Sequence, residues 1–263
     1  MRFKPLSSYE NNVQTKVGLS FLSERVVFRG KDLHFELKDY DWFKFFLFGI
    51  TGKEFTRQEL EVLGFIWLST SYPDARIWCN RIAALAGSAR TTITLGLSAS
   101  MAVTEAELYG VKPTKCAIDF LIRANKQVKK GISIDRLVDN ELSSRGMIYG
   151  YGRPLVREDE RIPHVIKYAN ERGFGKGEHL KLALEIEQCL ISLKNVGMNI
   201  AAVYAGLAAD MGFDANEFHR FCTLLVFGGM PPCFIEQEEK PPGSFLPIRC
   251  SSIIYQGPNK RRW

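Results

Sequence analysis

One stretch of the sequence combines residue types suited to binding an anion. It contains three glycines within seven residues and then three arginines at intervals of four: Gly146, Gly150, Gly152, Arg153, Arg157 and Arg161. Glycine permits backbone conformations and close approaches that a Cβ atom would prevent. Pro154 suits the first turn of a helix, and a helix starting there would gather the guanidinium groups near its own partly positive N-terminus. The stretch predicts a polyanion site; a Gly-rich connection followed by a solvated basic helix is the alternative interpretation.

Helical patterns dominate the elements that must position this stretch, because apolar residues recur with a helical period through most of the chain. Residues 1–24 are expected to be irregular, and residues 26–35 to form two short extended pieces around Gly30. The predicted class is therefore all-α, with a short extended N-terminal segment. One helix is predicted to begin at residue 56. Further helices are predicted at residues 41–48, 77–89, 91–103, 117–129, 133–142, 163–171, 179–193, 198–211 and 215–227.

Several polar residues are placed to start these helices. Thr56 and Glu59 have the spacing of a capping box, in which each side chain satisfies a free amide of the first turn. Asp74 and Asp214 are expected to cap the helices that follow them. The helices at 77–89 and 91–103 are rich in Ala, Gly and Ser, which permits close helix contacts, so they are expected to form the packed centre.

The composition of the chain argues against several classes of function. The chain has 263 residues, 46% hydrophobic and 24% charged, with a net charge of +6 spread along the sequence. Mixed charges favour a small anionic ligand over a nucleic-acid tract. By the sequence, no apolar run is expected to reach the length of a membrane span, and the N-terminus lacks a signal-peptide core. Six scattered cysteines without a CxxC pair, and four histidines without ligand spacing, predict no metal site and reduced thiols in the cytoplasm.

Five segments, in order along the chain, resemble the citrate synthase family, which includes citryl-CoA lyases and the C-terminal part of ATP-citrate lyase. They are VFRGKDL at 27–33, LFGITGK at 47–53, GYGRP at 150–154 with DER at 159–161, MNIA at 198–201, and EQ, IR and YQGP between 236 and 258. Each motif is weak alone, but their order is specific and covers nearly the whole chain.

The resemblance implies an architecture and ligands. A large discontinuous helical domain would comprise residues 1–112 and 212–263, and a small helical domain, 113–211, would close over the cleft. The family is built on dimers, so a homodimer is expected through the helices at 77–103. The expected ligands are coenzyme A, as an acyl-CoA substrate, and a small di- or tricarboxylate, without a metal, a nucleic acid or a membrane.

The resemblance also implies binding residues. Arg161 and Arg249 match arginines that hold substrate carboxylates, a task that suits a guanidinium because it donates two parallel hydrogen bonds. Arg157 matches a basic position close to CoA. The loop beside the CoA adenine and pantetheine corresponds to Tyr149, Gly150, Tyr151 and Gly152.

The catalytic positions depart from the family pattern. The family removes a proton α to a thioester with a carboxylate and uses two histidines on the reacting oxygens, as acid–base and oxyanion chemistry requires. Here Arg153 stands at the second histidine, Ala201 stands at the carboxylate, and residues 105–110 contain no histidine. Glu105, Glu107 and Tyr109 are candidate replacements; a polar helix end is the alternative interpretation. Arg153 cannot serve as a general acid near neutral pH, but it can polarise a carbonyl or hold an anion.

Two functions therefore remain open. In the first, the chain is an enzyme with altered Claisen- or aldol-type chemistry on an acyl-CoA and an oxo acid or citrate-like acid. Glu107 or a neighbour would be the base, and Arg153 would polarise the carbonyl. Alternatively, it is a non-catalytic ligand-binding or regulatory homologue. A helical scaffold without a small-molecule site is a third, weaker interpretation.

Overall fold

A computed structural model describes residues 6–11, 13–107, 110–153 and 158–258. The chain forms two compact units, Met1–Gly64 and Phe65–Trp263. The domain division predicted from the sequence, with residues 113–211 as a separate small domain, stays a prediction.

In the first unit, a short 3-10 turn, Leu6–Tyr9, precedes a three-stranded antiparallel sheet of β1 (Gly18–Phe21), β2 (Arg25–Phe28) and β3 (Lys31–Asp32). The register places Leu19 opposite Val27 and Val27 opposite Asp32. The two extended pieces around Gly30 are thus confirmed. The expectation of an irregular arm over residues 1–24 is wrong for β1, because its hydrogen bonds come from pairing with β2 and its short sequence carries no strand pattern of its own.

Two helices follow the sheet, α1 (Trp42–Thr51) and α2 (Arg57–Thr70). The boundary between the two units falls within α2, after Gly64. The Phe28 ring of β2 stacks on Phe45 of α1 with centroids 4.9 Å apart, which packs the sheet on the helix. The predicted capping box at α2 is confirmed: the Thr56 amide donates to Glu59 Oε2 at 2.7 Å, and the Glu59 amide donates to Thr56 Oγ1 at 3.3 Å.

The second unit is helical, as the sequence predicted. In the described residues it contains two short 3-10 turns, Phe227–Gly229 and Cys250–Ser252. Its α-helices are α3 (Trp78–Ser88), α4 (Ile93–Ala102), α5 (Val111–Val128), α6 (Ile134–Arg145), α7 (Arg161–Glu171), α8 (Glu178–Lys194), α9 (Ile200–Asp210), α10 (Ala215–Cys222) and α11 (Met230–Glu238).

Helix α9 is the most completely buried helix of this unit and packs between α5 and α8. Gly206 makes this possible, because a Cβ there would lie 2.8 Å from the Leu180 Cα atom. Helix α3 packs closely on α11 and α4, and a Cβ at Gly87 would lie 2.2 Å from the Phe234 carbonyl oxygen. The expectation that residues 77–103 form the packed centre is therefore correct for α3 but not for α4, whose Ile93 and Leu95 are exposed.

Two helix starts differ from the sequence prediction. Helix α5 begins at Val111, before Pro113 and not at residue 117, because a proline in the first turn lacks only an amide that has no partner in the helix. Asp74 does not cap α3, whose N-cap Ile77 makes no side-chain cap bond. Asp74 instead accepts from the amide of Arg76 at 2.8 Å and from its guanidinium. The cap at Asp214 is confirmed, with a complete capping box to Glu217.

One stretch of the described residues, Ala215–Glu238, is long and apolar enough to meet the criterion for a membrane-spanning helix. This corrects the expectation that no run reaches that length. The stretch comprises α10, the Phe227–Gly229 turn and α11, and 44% of its most apolar window is buried within the fold. Buried core helices pass the same test, so the stretch is weak evidence for a membrane segment.

Candidate functional site

A cavity of about 200 Å³ lies within the second unit where the ends of several helices meet. The end of α2, the first turn of α5, the loop at 152–153, the start of α7, the start of α9 and the end of α10 all contribute to its wall. The convergence of two helix N-termini, those of α5 and α9, gives the wall a partly positive backbone. Three residues of the stretch identified in the sequence line this cavity, namely Gly152, Arg153 and Arg161.

The glycine loop, residues 149–152, is held by hydrogen bonds to the start of α9. Asn199 caps this helix, since its Oδ1 atom accepts from the Ala201 amide at 3.0 Å. Its Nδ2 atom donates to the Gly152 carbonyl oxygen at 2.8 Å, and its backbone amide donates to the Gly150 carbonyl oxygen at 2.9 Å. Gly150 has a φ of +96°, and a Cβ there would lie 2.9 Å from the Ala202 Cβ atom. The loop therefore requires glycine at 150 for both its conformation and its close approach to α9.

The two tyrosines of the loop occupy different environments. Tyr151 is buried, pairs with Met198 in an isolated bridge, and donates its hydroxyl to the Ala183 carbonyl oxygen at 2.9 Å. Burial raises the pKa of Tyr151 well above its usual value. Tyr149 is half-buried. Tyr151 thus anchors the loop to α8, and the predicted contacts of 149–152 with CoA remain a prediction.

Asp159 is the central anion of the site. Its side chain is 0% exposed and accepts from Arg161 Nε at 2.8 Å and Arg161 Nη2 at 2.7 Å. It also accepts from the Ile200 amide at 3.0 Å, at the N-terminus of α9. Burial alone would raise the pKa of this carboxyl, but the hydrogen bonds and charge of Arg161 outweigh burial and lower the pKa. Asp159 therefore stays ionised and ties α7 to α9.

Arg153 and Arg161 line the same cavity, so the predicted gathering of these two guanidinium groups is found. The cause differs from the predicted helix: residues 158 and 159 are not helical, and α7 begins only at Arg161. Arg153 Nη1 lies 2.9 Å from Glu160 Oε2 and donates to the Glu158 carbonyl oxygen at 2.5 Å. Arg153 Nε lies 3.9 Å from Asp159 Oδ2, so both arginines surround one buried carboxylate.

The cavity wall also holds residues that the sequence patterns do not single out. The Tyr204 hydroxyl lies 2.7 Å from Ser69 Oγ, and this buried side chain borders the cavity. Cys222 is buried at the cavity wall, and burial raises the pKa of its thiol to about 12. Both residues follow the helical period of apolar positions, so no sequence pattern distinguishes them from core residues. Asp159 had a signal as the first residue of the DER motif, although the motif does not indicate that its side chain is buried.

Two of the candidate bases, Glu105 and Glu107, are not among the residues that line the cavity. Ala201, at the family's carboxylate position, does line the cavity and offers only a methyl group. The Glu107 carboxylate is ion-paired with Lys112 and its side chain is 73% exposed. Glu105 lies 3.1 Å from His219 Nε2. Tyr109 lies outside the described residues.

Two further residues were predicted to bind ligands, Arg249 and Arg157. Arg249 is exposed, at the start of the Cys250–Ser252 turn, and is not part of the cavity wall. Arg157 lies outside the described residues. Within the described part of the chain, no three His, Cys, Asp or Glu side chains converge in a way that could hold a metal ion.

Comparisons with known proteins identify the fold. No protein-family model matches the sequence, and no curated protein matches it. Among solved structures, the chain is similar to citryl-CoA lyase from Hydrogenobacter thermophilus, with 18% identity, a TM-score of 0.82, and coverage of 96% of this chain and 97% of that one.

Two further solved structures share this fold over part of their length. ATP citrate lyase from Methanothrix soehngenii, in complex with citrate and coenzyme A, has 16% identity and a TM-score of 0.76, with 98% of this chain and 45% of that chain covered. Citrate synthase from Thermoplasma acidophilum, with carboxymethyl coenzyme A and oxaloacetate, has 17% identity and a TM-score of 0.66, with 85% and 58% covered. The chain spans about half the length of these two proteins and has the citrate-synthase-like helical fold.

Proposed function

On the basis of this fold, we propose that the chain binds an acyl-CoA together with a small di- or tricarboxylic acid, the acid occupying the cavity between Arg153 and Arg161. One observation carries the proposal: two guanidinium groups border a single cavity of about 200 Å³ at the N-terminus of α9. Similar folds are bound to citrate and coenzyme A, or to carboxymethyl coenzyme A and oxaloacetate, in solved structures. A volume below that of drug-sized pockets suits a small acid.

Asp159 prepares Arg161 for this role. It takes two of the five N–H donors of the guanidinium and holds the group at the cavity wall. A fixed guanidinium loses less conformational entropy on binding a carboxylate than a free side chain would. Arg161 is therefore the rigid contact for the acid and Arg153 the second contact.

The acyl-CoA would lie along the loop that Asn199 fixes to α9. In this proposal Tyr149, Gly150, Tyr151 and Gly152 contact the adenine and pantetheine, Arg157 lies close to the CoA phosphates, and Arg249 supplies a further carboxylate contact. Gly152 supports this assignment, because it lines the cavity and has no Cβ atom that would keep a ligand from its backbone.

The proposed chemistry is an altered C–C bond-forming or bond-breaking reaction, with Arg153 polarising a carbonyl and Glu107 or Tyr109 acting as the base. For Glu107 to act, its carboxylate would have to leave Lys112 and turn toward the cavity. Asp159 is a poor alternative base, because four hydrogen bonds, three of them from Arg161, stabilise its charged form.

A non-catalytic, ligand-binding role is the second candidate. The specific observation in its favour is the cavity wall itself: among its described residues there is no histidine, and the carboxylate it contains, Asp159, is engaged by Arg161. A protein that kept the anion contacts and lost the proton-transfer groups would bind the same ligands without turnover.

The chain is also proposed to form a cytoplasmic homodimer. Leu85, Ile93 and Leu95 on α3 and α4 are 51%, 43% and 66% exposed, which supports burial of these helices against a second copy. Closure of a domain comprising 113–211 over the cleft is part of the same proposal.

Calorimetric titration with citrate, oxaloacetate, coenzyme A and acetyl-CoA tests the binding proposal. We expect binding of an acid and of a CoA compound, with acid binding lost in Arg161→Gln and weakened in Arg153→Gln. Arg76→Gln is the matched control, because this exposed arginine is also ion-paired with an aspartate but does not border the cavity. Absence of binding by every compound would refute the proposal.

A free-thiol assay with a panel of acyl-CoAs and oxo acids then separates the two candidates. Release or consumption of thiol that is lost in Glu107→Gln supports the enzyme. Tight binding of both ligands without any thiol change supports the non-catalytic role.

A further inference from the structure

The ion pair between Arg153 and Glu160 is built differently from the pair between Arg161 and Asp159. Glu160 contacts Arg153 through one oxygen at 2.9 Å, and its side chain is 60% exposed. Asp159 contacts Arg161 through both oxygens, accepts a third bond from Ile200, and is fully buried. One carboxylate is therefore fixed in the wall and the other is free to move into water.

These two carboxylates compensate the two guanidinium groups. Arg153 and Arg161 together carry two positive charges, and Asp159 and Glu160 carry two negative charges within hydrogen-bond distance of them. An acid that bound to these guanidinium groups without displacing either carboxylate would bring further negative charge beside the buried Asp159. Like charges at short range in a site of low dielectric are strongly unfavourable.

We propose that Glu160 is an internal competitor for the acid ligand: a carboxylate of the ligand takes the place of the Glu160 carboxylate on Arg153, and Glu160 turns into solvent. The inference rests on the proposed acid site and adds the contact that sets its affinity and selectivity. Displacement of the Glu160 carboxylate costs little free energy, because an ion pair with an exposed partner contributes little to stability. The Arg161 pair does not exchange, because removal of either partner would leave a buried charge unpaired.

The exchange makes Arg153 selective for acids. A neutral carbonyl compound offers no charge to replace that of Glu160, so it would leave the Arg153–Glu160 pair intact. Arg153 would then become available to polarise a carbonyl only after the acid has bound. The exchange also predicts that the affinity of the wild-type protein for the acid depends only weakly on salt, because one ion pair on Arg153 replaces another.

The test compares citrate and oxaloacetate binding by wild type and Glu160→Gln at low and high salt, by calorimetry. We expect the variant to bind the acid about 1.5- to 5-fold more tightly at low salt, and to lose this advantage as salt is raised. The exposed glutamate of another ion pair provides the control, Glu185→Gln, which should leave acid binding unchanged. Glu160→Ala repeats the test without an amide that could accept a bond from Arg153.

A double variant separates competition from general charge. In Arg153→Gln, the further change Glu160→Gln should have no effect on acid affinity. An equal gain in both backgrounds would overturn the inference, as would unchanged or weaker acid binding in the single Glu160 variants. If the wild-type protein binds an acid but gives one of these contradicting results, only the competitor role of Glu160 fails. If the wild-type protein binds no acid at all, the proposed function fails as well.

Discussion

Asp159 binds Arg161 through both carboxylate oxygens, at 2.8 Å to Nε and 2.7 Å to Nη2, with its side chain fully buried beside the N-terminus of α9. The same carboxylate accepts from the Ile200 amide, so one residue connects the start of α7 with the start of α9. The pair has two consequences. It fixes a guanidinium at the cavity wall, and it makes the stability of this region depend on a buried charge.

Replacement of Asp159 should destabilise the protein strongly. Removing one partner of a buried ion pair leaves an uncompensated charge and costs roughly 3–5 kcal/mol. We expect a loss of this size for Asp159→Ala and a smaller loss for Asp159→Asn, whose amide oxygen still accepts from Ile200 or Arg161. Urea unfolding followed by circular dichroism measures both values.

The matched control for this prediction is Asp74→Asn. Asp74 also makes close hydrogen bonds to an arginine two residues later, but Arg76 is exposed, so its loss should change the unfolding free energy far less. Equal effects at the two positions would mean that burial of Asp159 does not determine the energy of its pair.

The pKa of Asp159 gives a pH dependence with a definite sign. Although burial raises it, the hydrogen bonds to Arg161 lower the folded-state pKa below the ordinary value of 3.8. The native state therefore binds fewer protons than the unfolded state in acid, so the stabilisation is complete above about pH 4 and is lost as pH falls through the folded pKa.

We accordingly expect the difference in unfolding free energy between wild type and Asp159→Asn to be constant from pH 7 to about pH 5. It should shrink progressively below about pH 4. Unfolding curves at pH 7, 5, 4 and 3 measure it. A difference that grows in acid would contradict the assigned sign.

Much of the fold was predictable because it depends on local sequence. Helical periodicity located most helices of the second unit, and the caps at Thr56 and Asp214 have the residue spacing that their hydrogen bonds require. The placement of Arg153 and Arg161 beside one cavity was also predictable, since these residues are only eight positions apart. The glycine at 150 carried a signal because only glycine suits its backbone conformation.

The remaining features depend on contacts between distant residues. Asp159 is fixed by the amide of Ile200, and no local pattern indicates which carboxylate of the 158–160 run becomes buried. The sequence likewise cannot distinguish Tyr204 from a core residue, since its hydroxyl meets Ser69 on another helix. Strand β1 depends on its partner for hydrogen bonds.

Gly150→Ala should damage the loop that fixes the site. Its φ of +96° is strained for any residue with a Cβ atom, and the added methyl would lie 2.9 Å from the Ala202 Cβ and 3.1 Å from its backbone nitrogen. Left-handed backbone alone costs an L-residue roughly 1–2 kcal/mol, and the contact with α9 adds to this. We expect a larger loss of unfolding free energy together with weaker acid binding.

Gly131→Ala separates the two causes. Gly131 has a φ of +87°, but a Cβ there would meet no atom within 4 Å. This variant should therefore show the backbone cost alone and leave acid binding unchanged. If both variants lose the same stability, the close approach of Gly150 to Ala202 contributes nothing.

Asn199→Ala should weaken both the start of α9 and its connection to the loop. The Asn199 side chain accepts from the Ala201 amide at 3.0 Å and donates to the Gly152 carbonyl oxygen at 2.8 Å. Loss of an N-cap costs about 1 kcal/mol, and Gly152 loses a hydrogen bond next to Arg153. We expect a loss of at least that size in urea unfolding, with acid affinity reduced severalfold in calorimetry because Arg153 is no longer held at the cavity wall.

Ser133→Ala, which removes the exposed N-cap of α6, should reduce stability slightly without changing acid affinity. If Asn199→Ala lowers stability but leaves acid affinity at the wild-type value, Asn199 serves only as a helix cap and the acid does not depend on the position of the loop.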